Sequence, residues 1–279
     1  MAVKIVTDST AYLDKEVVEK YDITVIPLIV NYENRSIQET EIDENEFYEL
    51  IKKEDFPTTS QPPLIEIQQS FLKILEQGHD ICAIVISAHL SGTYSSALVA
   101  KNICLKKYPD RNIEIVNSRG ACMGNVVLHA AQRAARGDNL NIILQTAQQM
   151  LNKISFFFIP ATLEYLKKGG RIGGAQYLLG SILDIKPILT FKDGEVAVVE
   201  KVRTKEKALG KLVDFLEKDI QTKEIVELIV GHVYCPLEAE KIANLLAVKF
   251  KKEVKIKPIG PVVGMHVGPG TIGLGYYSL

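Results

Sequence analysis

Residues 81–96 read ICAIVISAHLSGTYSS, and this stretch decides the fold class. An apolar, β-branched run, typical of a strand buried on both faces, leads through small hydroxylic residues into a helical pattern. The first amides of such a helix are unpaired and its dipole favours negative charge, so Ser91 and Thr93, beside Gly92, are candidate donors to an oxyanion. Capping of the helix by Ser91 explains the same pattern without a ligand.

Similar apolar runs occur at residues 4–7, 23–30 and 113–116, with amphipathic stretches between them. Strands that alternate with helices in this way predict a parallel sheet with right-handed crossovers. Residues 1–160 are therefore predicted to form a parallel-sheet α/β N-terminal domain.

The pattern changes beyond that point. Asp193-Gly194 predicts a hairpin within residues 187–202, and helices and strands then alternate without the earlier regularity. Residues 161–279 are therefore predicted to form an α+β C-terminal domain, which makes the protein a two-lobed α/β protein.

Composition and charge narrow the class of partner. The chain has 279 residues, of which 47% are apolar, and 33 basic side chains balance 34 acidic ones, so neither disorder nor a general affinity for nucleic acid is expected. The four cysteines are far apart and form no CxxC pair, as is usual in a reducing compartment. The sequence also has no signal-peptide pattern and no run of 18 apolar residues. We therefore expect a cytoplasmic protein. No motif for a metal, a P-loop, a dinucleotide or a nucleophile elbow occurs.

Four further segments concentrate residues that are able to carry chemistry. They are TDST at 7–10 with Asp8, TTSQPP at 58–63 with Thr59, LEYLKKGGRIGG at 163–174 with Arg171, and GPVVGMHVGPG at 260–270 with His266. Turn formation and helix capping explain the first two without a ligand, and a helix end explains the glycines beside Arg171. The glycine frame around His266 suggests a close approach of backbone to a ligand.

In order and spacing, TDST, TTSQP, HLSGTYSSA, GGRI and GPVVGMHVGPG together resemble the DegV family of bacterial fatty-acid-binding proteins. The resemblance covers essentially the whole chain. Met265, Val267, Pro63 and Asn117 depart from residues that are frequent in the family, and these departures affect the polar surroundings of the head group.

The resemblance implies that a long-chain fatty acid lies in a tunnel with its carboxylate between the two lobes, bound by Thr59, Ser91 and His266. Gly92 and Thr93 would support this site. The family also implies a separate dihydroxyacetone-kinase-like fatty acid kinase, to which the carrier presents the carboxylate for acyl-phosphate formation in phospholipid metabolism. Arg171 would face that kinase. The chain would be a non-catalytic monomer without metal or cofactor, with transient contact to a membrane surface.

The residues alone leave two alternative functions open. Ser91 as nucleophile, His266 as base and Asp8 as orienting acid would make an acyl hydrolase. An acyl-chain sensor that acts through a regulatory partner fits the same sequence as a carrier.

Overall fold

The computed structural model describes residues 2–53, 56–120, 122–180 and 185–278. It divides the chain into two units, each with its own core. Unit 1 comprises Met1–Glu41 and Thr59–Asn152, and unit 2 comprises Ile42–Thr58 and Lys153–Leu279. The boundary at 160/161 stays a prediction about the lobes of the family fold.

Strands and helices alternate through most of both units. In chain order the strands are β1 (Val3–Asp8), β2 (Thr24–Ile26), β3 (Ile29–Tyr32), β4 (Arg35–Gln38), β5 (Thr58–Ser60), β6 (Asp80–Val85), β7 (Ile113–Asn117), β8 (Ile154–Ile159), β9 (Lys186–Lys192), β10 (Glu195–Val202), β11 (Ile225–His232), β12 (Lys255–Pro258) and β13 (Ile272–Ser278). The α-helices are α1 (Lys15–Tyr21), α2 (Glu44–Ile51), α3 (Leu64–Glu76), α4 (Thr93–Lys107), α5 (Met123–Ala135), α6 (Leu140–Lys153), α7 (Glu164–Lys168), α8 (Lys205–Ile220), α9 (Pro236–Phe250) and α10 (Pro261–Val267).

Unit 1 is built on a four-stranded parallel sheet with the order β2-β1-β6-β7. All six residues of β6 are buried, as its apolar run predicts. Helices α3 and α4 pack over one face of the sheet, where Phe71 and Ala97 join the core. The parallel α/β class predicted for the N-terminal half is confirmed.

Residues 23–30 do not form the single strand that their apolar run predicts. They are divided into β2, which pairs with β1, and β3, which pairs with β4 and β5 in a separate three-stranded sheet. Pro27 lies at the break. Because proline has no backbone N–H, it cannot continue a strand's hydrogen-bond ladder there.

Unit 2 contains a six-stranded mixed sheet with the order β10-β9-β8-β13-β11-β12. The predicted hairpin is confirmed: β9 and β10 pair antiparallel, and Asp193 (φ 54°) and Gly194 (φ 95°) both adopt positive φ, as a tight hairpin turn requires. Helices α8 and α9 pack on the sheet through buried side chains such as Leu212 and Leu246. The α+β class predicted for the C-terminal half is also confirmed.

The segment with α2 belongs to unit 2 although it lies early in the sequence. Asp43 caps α2, since its carboxylate accepts the N–H of Glu46 at 2.8 Å. The ring of Phe47 lies against Gly264, where a Cβ would come within 2.6 Å of Phe47 Cζ. Tyr48 stacks on Tyr234 with a centroid separation of 3.7 Å. These contacts join α2 to unit 2.

Candidate functional site

The turn between β6 and α4 holds two hydroxyl groups side by side. Ser91 Oγ lies 2.9 Å from Thr93 Oγ1 and accepts the N–H of Thr93 at 3.3 Å. Gly92, however, is the N-cap residue of α4 and no side chain caps the helix, so Ser91 is not the helix cap that the simpler interpretation predicts. The contact also places its hydroxyl beside the unpaired amides of the helix, where an anion is favoured.

Gln61 connects this turn to the segment that contains Thr59, a link that the sequence analysis missed. Its Nε2 donates to Ser96 Oγ at 2.5 Å, while its Oε1 lies so close to Gly92 that a Cβ there would come within 1.8 Å. Gly92 thus makes room for the Gln61 side chain. Thr59 lies half-buried in β5, two residues before Gln61. The only sequence signal for this link was a glycine at the start of α4.

A small apolar pocket lies between the unit 1 sheet and helices α3 and α4. It is lined by Val6, Thr7, Asp8, Ile26, Ile67, Phe71, Val85, Thr93 and Ala97. Thr93 belongs to this lining and also contacts Ser91, so the hydroxyl pair lies at one end of an apolar space. The open space in this pocket is only about the size of one water molecule, so a long acyl chain requires its walls to move apart.

Asp8 anchors the ends of two neighbouring strands. It is fully buried, and its carboxylate accepts the N–H of Ile86 at 2.7 Å and both the N–H and the hydroxyl of Thr10 at 3.0 and 2.5 Å. Burial raises the pKa of Asp8 from 3.8 to about 6, although the three hydrogen bonds oppose the shift. Its role in unit 1 is to order the turn after β1 and the loop after β6.

The raised pKa of Asp8 predicts a pH dependence of stability. The folded protein binds this proton more tightly than the unfolded chain does, so the contribution of Asp8 is greatest below pH 4 and is lost as the pH rises to about 6. The loss amounts to about 3 kcal/mol. We expect the free energy of unfolding of wild type minus that of Asp8→Asn to fall by this amount between pH 4 and pH 7 in urea titrations.

The Asp110→Asn variant, at an exposed position, is measured in parallel as the matched control. A flat difference for Asp8→Asn would show that Asp8 titrates normally.

In unit 2, His266 lies in the last turn of α10 against the backbone of Gly169. A Cβ at Gly169 would come within 2.0 Å of His266 Nδ1, so this glycine permits the contact. Arg171 donates from Nη1 to the carbonyl of Gly169 at 2.6 Å. Burial, and then the positive charge of Arg171, lower the pKa of His266 from 6.5 to about 4, so its imidazole is neutral at pH 7.

The glycine frame around His266 has a different basis from the one suggested by its sequence. Gly264 accommodates the ring of Phe47, and Gly268, at φ +83°, accommodates the ring of Tyr165, which a Cβ would approach to 2.3 Å. Protein side chains, rather than a ligand, thus fill the space that these two glycines provide. The frame also contains a helix, α10, which the sequence analysis did not predict.

The hydrolase alternative needs Asp8 to orient an imidazole. Both oxygens of Asp8 instead accept hydrogen bonds from Thr10 and Ile86 within unit 1. A triad carboxylate accepts the N–H of its histidine, so these bonds leave Asp8 poorly suited to that role.

The part of the chain that the structure describes has no group of three or more histidine, cysteine, aspartate or glutamate side chains able to hold a metal ion. None of its helices combines the length and the apolar character needed to cross a membrane.

These features define a class: a two-unit α/β protein with an apolar pocket that ends at a hydroxyl-rich helix start. The family model described as "Uncharacterised protein, DegV family" matches residues 2–279. A DegV domain-containing protein of Clostridium perfringens is 40% identical over 279 residues, covering 99% of each chain. The chain belongs to the DegV family.

Solved structures of relatives have the same fold. A fatty-acid-binding DegV family protein from Thermus thermophilus has a TM-score of 0.86 and 30% identity, with 100% of both chains covered. DegV of Bacillus subtilis, described as a fatty acid binding protein, has a TM-score of 0.87 and 31% identity, again over 100% of both chains. A stearic-acid-binding protein from Eubacterium ventriosum has a TM-score of 0.88 and 26% identity, covering 99% of this chain and 98% of that one.

Proposed function

We propose that this protein binds a long-chain fatty acid, with its tail in the unit 1 pocket, and carries it as a non-catalytic subunit in the cytoplasm. The observation that carries the proposal is the apolar pocket lined in part by Thr93, whose hydroxyl contacts that of Ser91. Full-length similarity to relatives that bind fatty acids supports it.

The tail supplies most of the affinity. Burying roughly fifteen methylenes at about 0.8 kcal/mol each provides on the order of 12 kcal/mol before ordering costs are subtracted. Hydrogen bonds to the carboxylate contribute about 1.5–3 kcal/mol each and are largely offset by its desolvation. The head-group contacts therefore chiefly set the orientation of the acid.

We assign the carboxylate contacts to Thr59, Ser91 and His266, as the family resemblance implies. The Ser91 hydroxyl lies at a helix start, where the dipole favours an anion. His266 is neutral and therefore donates through one ring N–H, while Arg171 adds positive charge beside it. A neutral imidazole and hydroxyl donors hold a carboxylate less firmly than a bidentate arginine would, which suits a group that must react later.

Fatty-acid binding is expected to raise the pKa of His266. A carboxylate beside the imidazole favours the protonated ring and so opposes the effects of burial and Arg171. We would follow the ring Cε1–H resonances of the five histidines by NMR during pH titration, with and without oleate, and assign His266 from the His266→Gln spectrum. An unchanged pKa at saturating oleate would contradict contact between the two groups.

We further propose that the bound acid is presented to a separate dihydroxyacetone-kinase-like fatty acid kinase, with Arg171 on the kinase-facing side. The kinase would transfer a phosphoryl group from ATP to the carboxylate, which yields an acyl phosphate and ADP. The partially exposed Arg171 and the exposed turn residue Gly92 are compatible with access by a partner.

Ser91→Ala and His266→Ala are each expected to reduce acyl-phosphate formation by at least tenfold while fatty-acid affinity falls less, because the tail supplies most of the binding energy. The measurement is transfer of radiolabelled phosphate from ATP in the presence of the purified kinase, with oleate affinity determined in parallel. Ser95→Ala, an exposed position on α4, is the matched control. Equal losses of affinity and phosphorylation would contradict an orienting role.

If the wild-type chain captures a transcription factor and no kinase, the result favours the alternative that the protein is an acyl-chain sensor.

A further inference from the structure

The loop between β6 and α4, residues 86–92, carries Ser91 and is folded by hydrogen bonds of its own backbone. The N–H groups of Leu90 and Ser91 donate to the carbonyl of Ser87 at 2.9 and 3.0 Å. Ser87 is fully buried, so it anchors this turn. Because Ser87 and Ser91 are joined in this way, a shift of the backbone beside Ser87 also moves Ser91.

The side chain of Asn117, the last residue of β7, bonds to this loop. Its Oδ1 accepts the N–H of Ala88 at 3.3 Å and the N–H of Arg119 at 3.1 Å. An amide oxygen has two lone pairs, so it is able to accept both bonds. The bond from Arg119 orients the amide of Asn117, and the bond from Ala88 connects the β6–α4 loop to the end of β7.

The two strands that flank β6 both contribute a side chain to the loop. The register of β6 with β7 ends at Val85, which lies opposite Asn117. Beyond Val85, the carboxylate of Asp8, at the end of β1, accepts the N–H of Ile86 at 2.7 Å. Asn117 accepts the N–H of Ala88 from the other side. The loop is therefore held from both neighbouring strands, and loss of the Asn117 oxygen releases one side of it.

We propose that Asn117 is a positioning residue: by holding Ala88 it keeps the hydroxyl of Ser91 where that hydroxyl contacts the fatty-acid carboxylate. Asn117 acts through Ser91 and is assigned no contact with the acid. A shift of a donor by about 1 Å can lower the rate of a reaction by up to about a hundredfold. The proposal rests on the proposed function for the identity of the ligand.

Hydrogen exchange of the backbone amides, followed by NMR, tests the contact itself. Asn117→Leu replaces the acceptor oxygen by an apolar group of similar size, whereas Asn117→Asp keeps an oxygen that accepts both N–H groups. We expect the Ala88 amide to exchange about tenfold faster or more in Asn117→Leu, and within about threefold of the wild-type rate in Asn117→Asp. Equal exchange in wild type and Asn117→Leu, or fast exchange in both variants, would overturn the proposal.

Acyl-phosphate formation, measured together with fatty-acid content, tests the role of the contact. Asn117→Leu should lower formation about tenfold while fatty-acid content equals that of wild type, because the tail supplies most of the affinity. In a Ser91→Ala background the same substitution should cause no further loss, since the hydroxyl that Asn117 positions is then absent. Equal losses in the two backgrounds would show that Asn117 does not act through Ser91 and would overturn the proposal.

Asn112→Leu is the matched control. Asn112 precedes β7 at its opposite end, where its side chain donates to Asp80 Oδ2 at 3.3 Å. The variant loses a side-chain hydrogen bond, as Asn117→Leu does, but should leave exchange at Ala88 and acyl-phosphate formation unchanged. If both variants lower formation equally, the loss reflects general destabilisation of unit 1, and the positioning role is wrong.

The fatty-acid content of wild type separates this proposal from the proposed function. Protein that contains fatty acid, with Ala88 equally protected in wild type and Asn117→Leu, overturns only the role of Asn117. Protein that neither contains nor takes up fatty acid overturns the proposed function, whatever the exchange at Ala88, and with it the purpose assigned to Asn117.

Discussion

Ala97→Phe is expected to reduce fatty-acid content by at least tenfold while the protein remains folded. Ala97 is 1% exposed and lines the unit 1 pocket, so a benzyl group there projects into the space proposed for the tail. The pocket has open space for only about one water molecule, so the added ring also overpacks the core, at a cost of about 1–3 kcal/mol. The measurement is the molar ratio of fatty acid to protein after purification, together with the melting temperature.

Ala100→Phe is the matched control, because Ala100 is fully buried on the same helix but does not line the pocket. We expect it to lower the free energy of unfolding by about 1–3 kcal/mol or more. If Ala97→Phe retains as much fatty acid as wild type, the tail does not occupy this pocket.

Gly169→Ala is expected to displace the imidazole of His266 and to lower acyl-phosphate formation by at least tenfold. The added Cβ would come within 2.0 Å of Nδ1, a separation that no pair of non-bonded atoms tolerates, so the ring must move. Displacement towards water also reduces the burial that lowers the pKa of His266, and this pKa should rise towards 6.5. NMR titration of the histidines therefore provides a readout that simple loss of stability would not produce.

Gly210→Ala is the control in the same unit. Gly210 lies within α8 and a Cβ there meets no atom within 4 Å, so alanine should stabilise the helix by about 0.5–1 kcal/mol and leave phosphorylation unchanged. If the pKa of His266 and the rate of acyl-phosphate formation in Gly169→Ala both equal those of wild type, the position of His266 does not depend on this contact.

Sequence and structure agree most closely for elements that depend only on residues close together in the chain. The buried run of β6, the hydroxyl-rich start of α4 and the Asp193-Gly194 hairpin each depend on neighbouring residues, so their sequences alone predicted them. The capping role of Asp43 follows for the same reason.

Tertiary contacts explain what local pattern missed. Strand β13 lies between β8 and β11 in the unit 2 sheet, yet its glycines gave no strand pattern; one of them, Gly273, lies against the ring of Phe156. Helix α10 contains Gly264, which ordinarily weakens a helix but here admits Phe47.

In the candidate site, too, some features follow from local sequence and others depend on tertiary contacts. Serine and threonine at a strand-to-helix turn are recognisable from sequence, whereas the Gln61 contact with Gly92 joins segments about thirty residues apart. The pair formed by His266 and the Gly169–Arg171 segment depends on a separation of nearly one hundred residues. Only the family resemblance assigned roles to Thr59, Ser91 and His266 together.

The central claim is that the chain binds a long-chain fatty acid, and mass spectrometry of organic extracts from the purified, untreated protein tests it most directly. We predict a stoichiometric C14 to C20 fatty acid in wild type. Reproducible absence of lipid, together with no uptake of added oleate, would contradict the account.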